Sequence, residues 1–342
     1  MKRTSISLLI AILVLLVSVS GIAQDDPPTV PKIVFVTIDY EARTYTLHVS
    51  SPDGTNILPL VVGGQYWSPA LSPDGRQLAF IGRRLPAGTP GIYVMNTDGT
   101  GLRIVTPPPS PVRVRPNGLA WSPDGTELMY GAIGSGSSSF FYRFTVDSDE
   151  QVRIRFPGIE YEDRSLPHPY WSPDGSKVMV YGMRVDPQSN LSVWSLYLAN
   201  ADGTDAVPFP AITDEMRGYS FAAWSPDGQQ VVLASLGSIN DAFPLIVANA
   251  DGSDARRLAG HPPNYPHSPS WSPDGNQILF IAVEQGVESM PEGELYVVDA
   301  DGSNLRALNI PGDVAGTGTA WGAIPADVIL PSSPVELESA AR

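Results

Sequence analysis

Apolar residues along this chain come in short runs, each closed off by turn-forming residues. Five of them are Gln77-Leu78-Ala79-Phe80-Ile81, Glu127-Leu128-Met129-Tyr130, Lys177-Val178-Met179-Val180-Tyr181, Gln230-Val231-Val232-Leu233-Ala234 and Gln277-Ile278-Leu279-Phe280-Ile281. They are rich in β-branched and aromatic side chains and short, so the pattern predicts strands. Beyond the N-terminal segment no stretch resembles a long amphipathic helix.

Nearly the same five residues precede each run: Leu71-Ser72-Pro73-Asp74-Gly75, Trp121-Ser122-Pro123-Asp124-Gly125, Trp171-Ser172-Pro173-Asp174-Gly175, Trp224-Ser225-Pro226-Asp227-Gly228 and Trp271-Ser272-Pro273-Asp274-Gly275. Ser can cap such a turn, Pro pre-sets φ, Asp tolerates the next position, and Gly supplies the positive φ that closes a tight hairpin loop. A second turn runs in step with the first. Asn96-Thr97-Asp98-Gly99, Asn200-Ala201-Asp202-Gly203, Asn249-Ala250-Asp251-Gly252 and Asp299-Ala300-Asp301-Gly302 each follow an apolar run. Ser51-Pro52-Asp53-Gly54 holds that place in the first repeat, and Asp147-Ser148-Asp149-Glu150 is a worn version in the third. Each repeat therefore reads strand A, Ser-Pro-Asp-Gly turn, strand B, variable loop, strand C, Asp-Gly turn, strand D.

The motif starts lie 50, 50, 53 and 47 positions apart, and Trp321 keeps the tryptophan of a sixth copy. A period near 50 in an all-β pattern marks one propeller blade per repeat. The first repeat begins at strand B (33–37), and the last unit (317–321) is a strand A with nothing after it. Joined, the two complete a blade and remove the open sheet edges. The expected fold is an all-β, six-bladed β-propeller with four antiparallel strands per blade, its ring closed by N- and C-terminal strands that share one blade. It would occupy 31–323, after a linker at 24–30 and before a flexible tail at 324–342.

Composition agrees. The chain holds 34 Pro and 32 Gly with 42% hydrophobic residues, which fits many turns rather than disorder. The net charge of −15 suggests an acidic surface, but ten of the 36 acids are turn aspartates, and the other 26 face 21 bases. With no basic patch, nucleic-acid binding is disfavoured. Met1-Lys2-Arg3, an apolar stretch at 8–17 and the small residues Gly21 and Ala23 read as a secretory signal peptide over 1–23. That implies export to a periplasm or the extracellular space, with no membrane span after cleavage. An uncleaved anchor over 6–23 is the alternative. The absence of cysteine excludes disulfides, thiolate metal sites and a lipidated cysteine.

The Trp-Ser-Pro-Asp-Gly repeats followed by Asn-x-Asp-Gly turns resemble the TolB-like β-propeller family, across 31–323. The resemblance implies a six-bladed periplasmic protein-binding module; TolB itself contacts a peptidoglycan-associated lipoprotein at the channel mouth. TolB also carries an α/β domain before its propeller, whereas here only 24–31 separate the expected cleavage site from the first strand. The resemblance bears on fold and compartment more than on the partner.

The two turn families emerge on one face and are tight. The B-to-C loops and D-to-A connections emerge on the other and are long and irregular, and loop variation on a rigid scaffold is where binding is usually found. The D-to-A segments lead into the innermost strands, so they should ring the channel mouth. Candidate partner-binding residues there are Tyr66, Trp67, Arg113, Arg115, Tyr161, His168, Arg217, Tyr219, Tyr265 and His267, because aromatics and arginines dominate binding hot spots. The repeated tryptophans are expected between blades instead. The expected role is a monomeric, non-catalytic module for a protein or peptide of the cell envelope, without cofactor or metal. One carboxylate per turn, spread around a ring, does not make a calcium cage. No Gly-x-Ser-x-Gly elbow is present; Gly134-Ser135-Gly136-Ser137-Ser138 misses the spacing. The alternative is a channel-mouth enzyme or small-ligand, carbohydrate-type binder that uses the loop histidines His168, His261 and His267, His48 being in a strand.

Overall fold

The computed structural model describes residues 27–84, 90–105, 115–133, 139–148, 150–159, 168–185, 192–211, 220–235, 245–258, 265–283 and 292–337. Among them every extended element is a β-strand and no α-helix occurs. The first six strands are β1 (Thr29–Asp39), β2 (Thr44–Ser50), β3 (Leu58–Leu71), β4 (Gln77–Arg84), β5 (Gly91–Asn96) and β6 (Arg103–Ile104). The next repeat gives β7 (Arg115–Trp121), β8 (Glu127–Ile133), β9 (Ser139–Thr145) and β10 (Gln151–Ile154). Then come β11 (Pro169–Trp171), β12 (Lys177–Val185), β13 (Ser192–Asn200) and β14 (Val207–Pro208). They are followed by β15 (Ser220–Trp224), β16 (Gln230–Ser235), β17 (Leu245–Asn249) and β18 (Arg256–Arg257). The chain continues with β19 (Tyr265–Trp271), β20 (Gln277–Val283), β21 (Glu292–Asp299) and β22 (Arg306–Ala307), and finishes with β23 (Asp313–Pro325) and β24 (Val335–Glu336).

Three groups, β7–β10, β11–β14 and β15–β18, are separate four-stranded antiparallel sheets whose strands pair in sequence order. The other strands join in one path, β19-β20-β21-β23-β1-β2-β3-β4-β5-β6, with β22 on β21 and β24 on β3. The first and last repeat units pair as their complementary ends predict: β1 lies antiparallel to β23, with Ile33 opposite Trp321 and Thr29 opposite Pro325.

The Ser-Pro-Asp-Gly turn explains its own recurrence. In the turn after Trp224, the Ser225 hydroxyl donates to Asp227 Oδ1 (2.5 Å) and accepts the Gln230 N–H (2.9 Å). Asp227 Oδ1 also accepts the Gln229 N–H at 3.0 Å. The same bonds recur from Ser72, Ser122, Ser172 and Ser272. The closing glycines all sit at φ between 68° and 72°, the left-handed region that favours glycine.

Buried side chains fall into six clusters, each spanning two neighbouring groups of strands. Period-two alternation sends successive residues to opposite clusters. Leu279 and Ile281 pack with Ile33 and Phe35, while Phe280 between them packs with Val232 and Val247. Trp121, Trp271 and Trp321 are buried within these clusters, and Trp171 and Trp224 pack against them half-buried.

Two sequence expectations change here. Tyr66 and Trp67, expected in a D-to-A connection, are strand rather than loop: β3 runs on through 63–67, with Gly64 opposite Arg84 and Trp67 opposite Ile81. Gly63, at φ 84°, sits where the β2–β3 register is irregular, and the strand continues past it into the next repeat. Residues 324–337, expected as a loose tail, pack against the first repeats. Ile324 and Pro325 still pair with β1, β24 adds in parallel to β3 (Val335 opposite Val61), and Leu337 is fully buried. Apolar Val328, Leu330 and Val335 lie on the same cluster, and that apolar content is what keeps the segment down.

Candidate functional site

Except in β23, which runs on past Trp321 to Pro325, the innermost strand of a repeat ends at its tryptophan, or at Leu71 in the first copy. Counting back from that residue, the preceding positions Ala70, Ala120, Tyr170, Ala223, Ser270 and Ala320 all line one cavity of about 530 Å³. Three back, Ser68, His168, Phe221, Ser268 and Gly318 line it too. Alternate residues of a strand share a face, and these side chains also pack into the clusters between sheets: Ala70 with Ile81, Tyr170 with Ala222, and Phe221 with Trp271. The turn prolines Pro73, Pro173, Pro226 and Pro273 form the rim, so the cavity opens on the tight-turn side.

The third position back carries its own repeat. Ser68, Gly118, Ser268 and Gly318 all have positive φ (50°, 62°, 48° and 122°), and strand registers slip beside the first three. This is a β-bulge in the innermost strand, a device that re-aims side chains. The sequence carries the signal as Ser68-Pro69, Gly118, Ser268-Pro269 and Gly318 in one column of the repeat.

Among the described residues the lining holds no Asp, Glu, Lys or Arg. Three bulky side chains interrupt otherwise small rings: His168 and Tyr170 from the segment around β11, and Phe221 from β15. His168 meets the Phe221 ring edge-on at 5.5 Å and lies nearly parallel to Tyr170 at 6.3 Å. Behind Phe221, at 3.8 Å between centroids, stands His267, whose Nδ1 is 2.9 Å from Ser268 Oγ. Burial pushes the His168 imidazole down to about 4. Burial, and then the neighbouring His168, push His267 down to about 3. Both are neutral near pH 7 and poorly matched to proton transfer there. Among the described residues no group of three or more His, Cys, Asp or Glu could hold a metal.

The other candidates separate. Tyr66 is fully buried, edge-on to Phe80, and so cannot meet a partner from the surface. Trp67 is half-buried against the cluster that holds Ile81 and Trp121. Arg115 and Tyr265 open β7 and β19. Arg113, Tyr161, Arg217, Tyr219 and His261, like the expected signal peptide, lie outside the described residues. His48 pairs with Thr37 Oγ1 (2.8 Å) and stacks on Phe35, far from a catalytic role, its pKa pushed down to about 4 by burial.

No protein-family profile matches the chain. An uncharacterized protein of Agrobacterium fabrum is 26% identical over 223 residues, covering 62% of this chain and 68% of that one. The Tol-Pal system protein TolB of Alcanivorax borkumensis is 33% identical over 99 residues, 28% of this chain and 22% of that protein. Among solved structures, TolB from Acinetobacter baumannii superposes with a TM-score of 0.67 at 17% identity, covering 85% of this chain and 66% of the TolB chain. A TolB-type protein from Agrobacterium tumefaciens gives 0.60 at 17% identity, covering 87% and 98%. No helix among the described residues is long and apolar enough to cross a membrane. Antiparallel four-stranded sheets packed through their inner tryptophans, with these neighbours, give the chain the fold of a TolB-like β-propeller.

Proposed function

We propose that the chain is an exported, monomeric six-bladed propeller that binds a protein or peptide of the cell envelope through its loop-rich face and catalyses no reaction. The observation that carries this is the TolB-like fold, combined with an axial site whose charged chemistry is absent from its described lining. The TolB relative is named for the Tol-Pal system, and a partner of that general kind suits a propeller with long, irregular loops. Six inter-sheet clusters and the β1–β23 pairing support a closed ring of six blades. The aligned region covers 66% of the A. baumannii TolB chain, so that protein's full set of partners is not carried over.

The test is capture of a partner from a cell-envelope extract with the mature chain, repeated with Arg113→Glu, Arg115→Glu and Arg217→Glu combined. A partner retained by the first and lost by the second supports the proposal. Equal retention by both places the contact elsewhere.

A further inference from the structure

We infer that the outer edge of the first sheet is a strand-addition site for an extended peptide of a partner protein, with the chain's own terminal strand β24 as its resident occupant. The site is a sheet edge, separate from the loop face proposed above, and stands without it. The sheet edges of this fold differ. In β6, β14, β18 and β22 the outermost strand is two residues long, and in β10 it is four. Short edges of this kind resist pairing with other chains. The first repeat has a longer one: residues 58–62 of β3 form it, paired to β2 through Leu58, Pro59 and Val61. β24 lies along this edge in parallel, with Val335 opposite Val61 and Glu336 opposite Val62. The edge therefore accepts a further strand, and the chain itself supplies one.

The seated segment shows what the edge selects. Val335 packs on the cluster that holds Leu60 and Val61, Glu336 reaches over Gly63, and Leu337 is fully buried beside Gly64 and the Tyr66 ring. Gly64 makes that pocket, because a side chain there would fill it. The ligand class is thus an extended segment with a β-branched residue and, two positions on, a leucine-type anchor. Main-chain bonds give such a segment affinity and the pocket gives it specificity. β24 holds its place lightly. Two rungs and one anchor attach it, and Ser332, Ser333 and Pro334 before it are exposed. In its register Pro334 falls opposite Leu60 and has no N–H to continue the ladder. Among the described residues Leu58, Pro59 and Leu60 therefore have no rung on that side, and Leu58 is exposed. A partner segment without that proline pairs further along the edge than β24 does. That surplus is what lets it displace a strand tethered at high effective concentration.

The experiment uses the full mature chain carrying Leu337→Ala, which empties the pocket, and a fluorescent peptide with the sequence of 331–340. The peptide should bind this variant saturably, and the wild-type chain at least about tenfold more weakly, because there the tethered strand competes. Alanine in place of the peptide's leucine should weaken binding at least about tenfold. Threonine in place of the proline before its valine should tighten binding roughly threefold, the worth of one further hydrogen bond. Photo-leucine at the anchor position should cross-link to the segment 60–66, read by mass spectrometry. The same cross-link to the wild-type chain, at about millimolar peptide, tests the site without relying on the variant's folding. No saturable binding by the folded variant, indifference to the anchor, or cross-links elsewhere would overturn the inference. So would a threonine peptide no tighter than its parent, which would make β24 the best occupant. Dimerisation of the wild-type chain that Leu337→Ala abolishes would overturn it too, by making a second copy the occupant.

Discussion

The indole Nε1 of Trp271 donates to the carbonyl of Ala223, 3.1 Å away and 48 residues earlier. Trp121 does the same to Ala70 at 3.0 Å, and Trp224 to Tyr170 at 3.1 Å. Each of these three thus wedges between two sheets and also ties its own inner strand to the one before it, whereas the buried Nε1 of Trp171 has no partner. Trp321 keeps the wedge, but its buried Nε1 has no partner. Replacing each by Phe separates the two effects. Both variants should lose stability through packing, and Trp271→Phe should lose about 1 kcal/mol more, since it also strands the Ala223 carbonyl. Urea denaturation measures the difference. Equal losses would mean that the hydrogen bond contributes nothing net.

Gly75 and Gly125 occupy the same turn position at nearly the same φ, 68° and 71°. Their surroundings differ. A Cβ on Gly125 would sit 3.7 Å from Pro73, an ordinary contact, whereas one on Gly75 would collide with the Ala323 carbonyl of β23. Both Gly→Ala variants carry the cost of a left-handed alanine, about 1–2 kcal/mol. Gly75→Ala should cost roughly 1–3 kcal/mol more, because backbone must move. The comparison reads the rigidity of the junction between the first and last repeats. Matching thermal midpoints for the two variants would mean that β23 yields freely there.

These two contrasts also mark what could be read from the sequence. The turn and strand order was legible because each Ser-Pro-Asp-Gly turn closes on itself: Ser72, Asp74 and Gln77 satisfy one another within six residues. The pairing of β1 with β23 was legible because the first repeat lacks the strand that the last one leaves over. Tyr66 was misread, since nothing local distinguishes a connection from a strand that bends at Gly63 and continues. The docking of Leu337 depends on a pocket beside Gly64, 273 positions away in the chain, so no local pattern announces it. The departure of three inner-strand positions from the repeat was available in principle. Aligning the repeats in columns sets Tyr170 among alanines, and His168 and Phe221 among serines and glycines.

Leu337 is fully buried against the cluster that contains Tyr66 and Phe80, and its Cδ2 occupies the space that a side chain on Gly64 would need. The exposed ion pair between Arg76 and Asp327 (3.2 Å) adds little to this attachment. Leu337→Ala should therefore cost about 2–5 kcal/mol, and Asp327→Ala within about 1 kcal/mol. Denaturation of both variants checks the order. A Leu337→Ala variant as stable as the parent would show that the terminal segment rests on the fold without supporting it.

Acid should destabilise the protein in two stages. His48, His168 and His267 are held at about 4, 4 and 3, below the ordinary value of 6.5, chiefly by burial. For a base whose pKa is lowered by folding, the unfolded chain binds the proton first, so stability is complete above pH 6.5 and falls as pH drops towards the folded values. Asp124, Asp174, Asp227 and Asp274 are held below their ordinary 3.8, first by the turn serine hydroxyl and then by backbone N–H groups. Their contribution is complete above about pH 4 and is lost only as pH falls through their depressed values. The urea midpoint should thus decline between pH 6.5 and 4, before the carboxylates take part, and more steeply below. His48→Gln keeps a group able to meet the Thr37 hydroxyl and removes one of the three titrations, so it should flatten the upper stage by roughly a third while leaving the lower one in place. A midpoint constant from pH 7 to 5 would mean that all three imidazoles reach water in the folded protein.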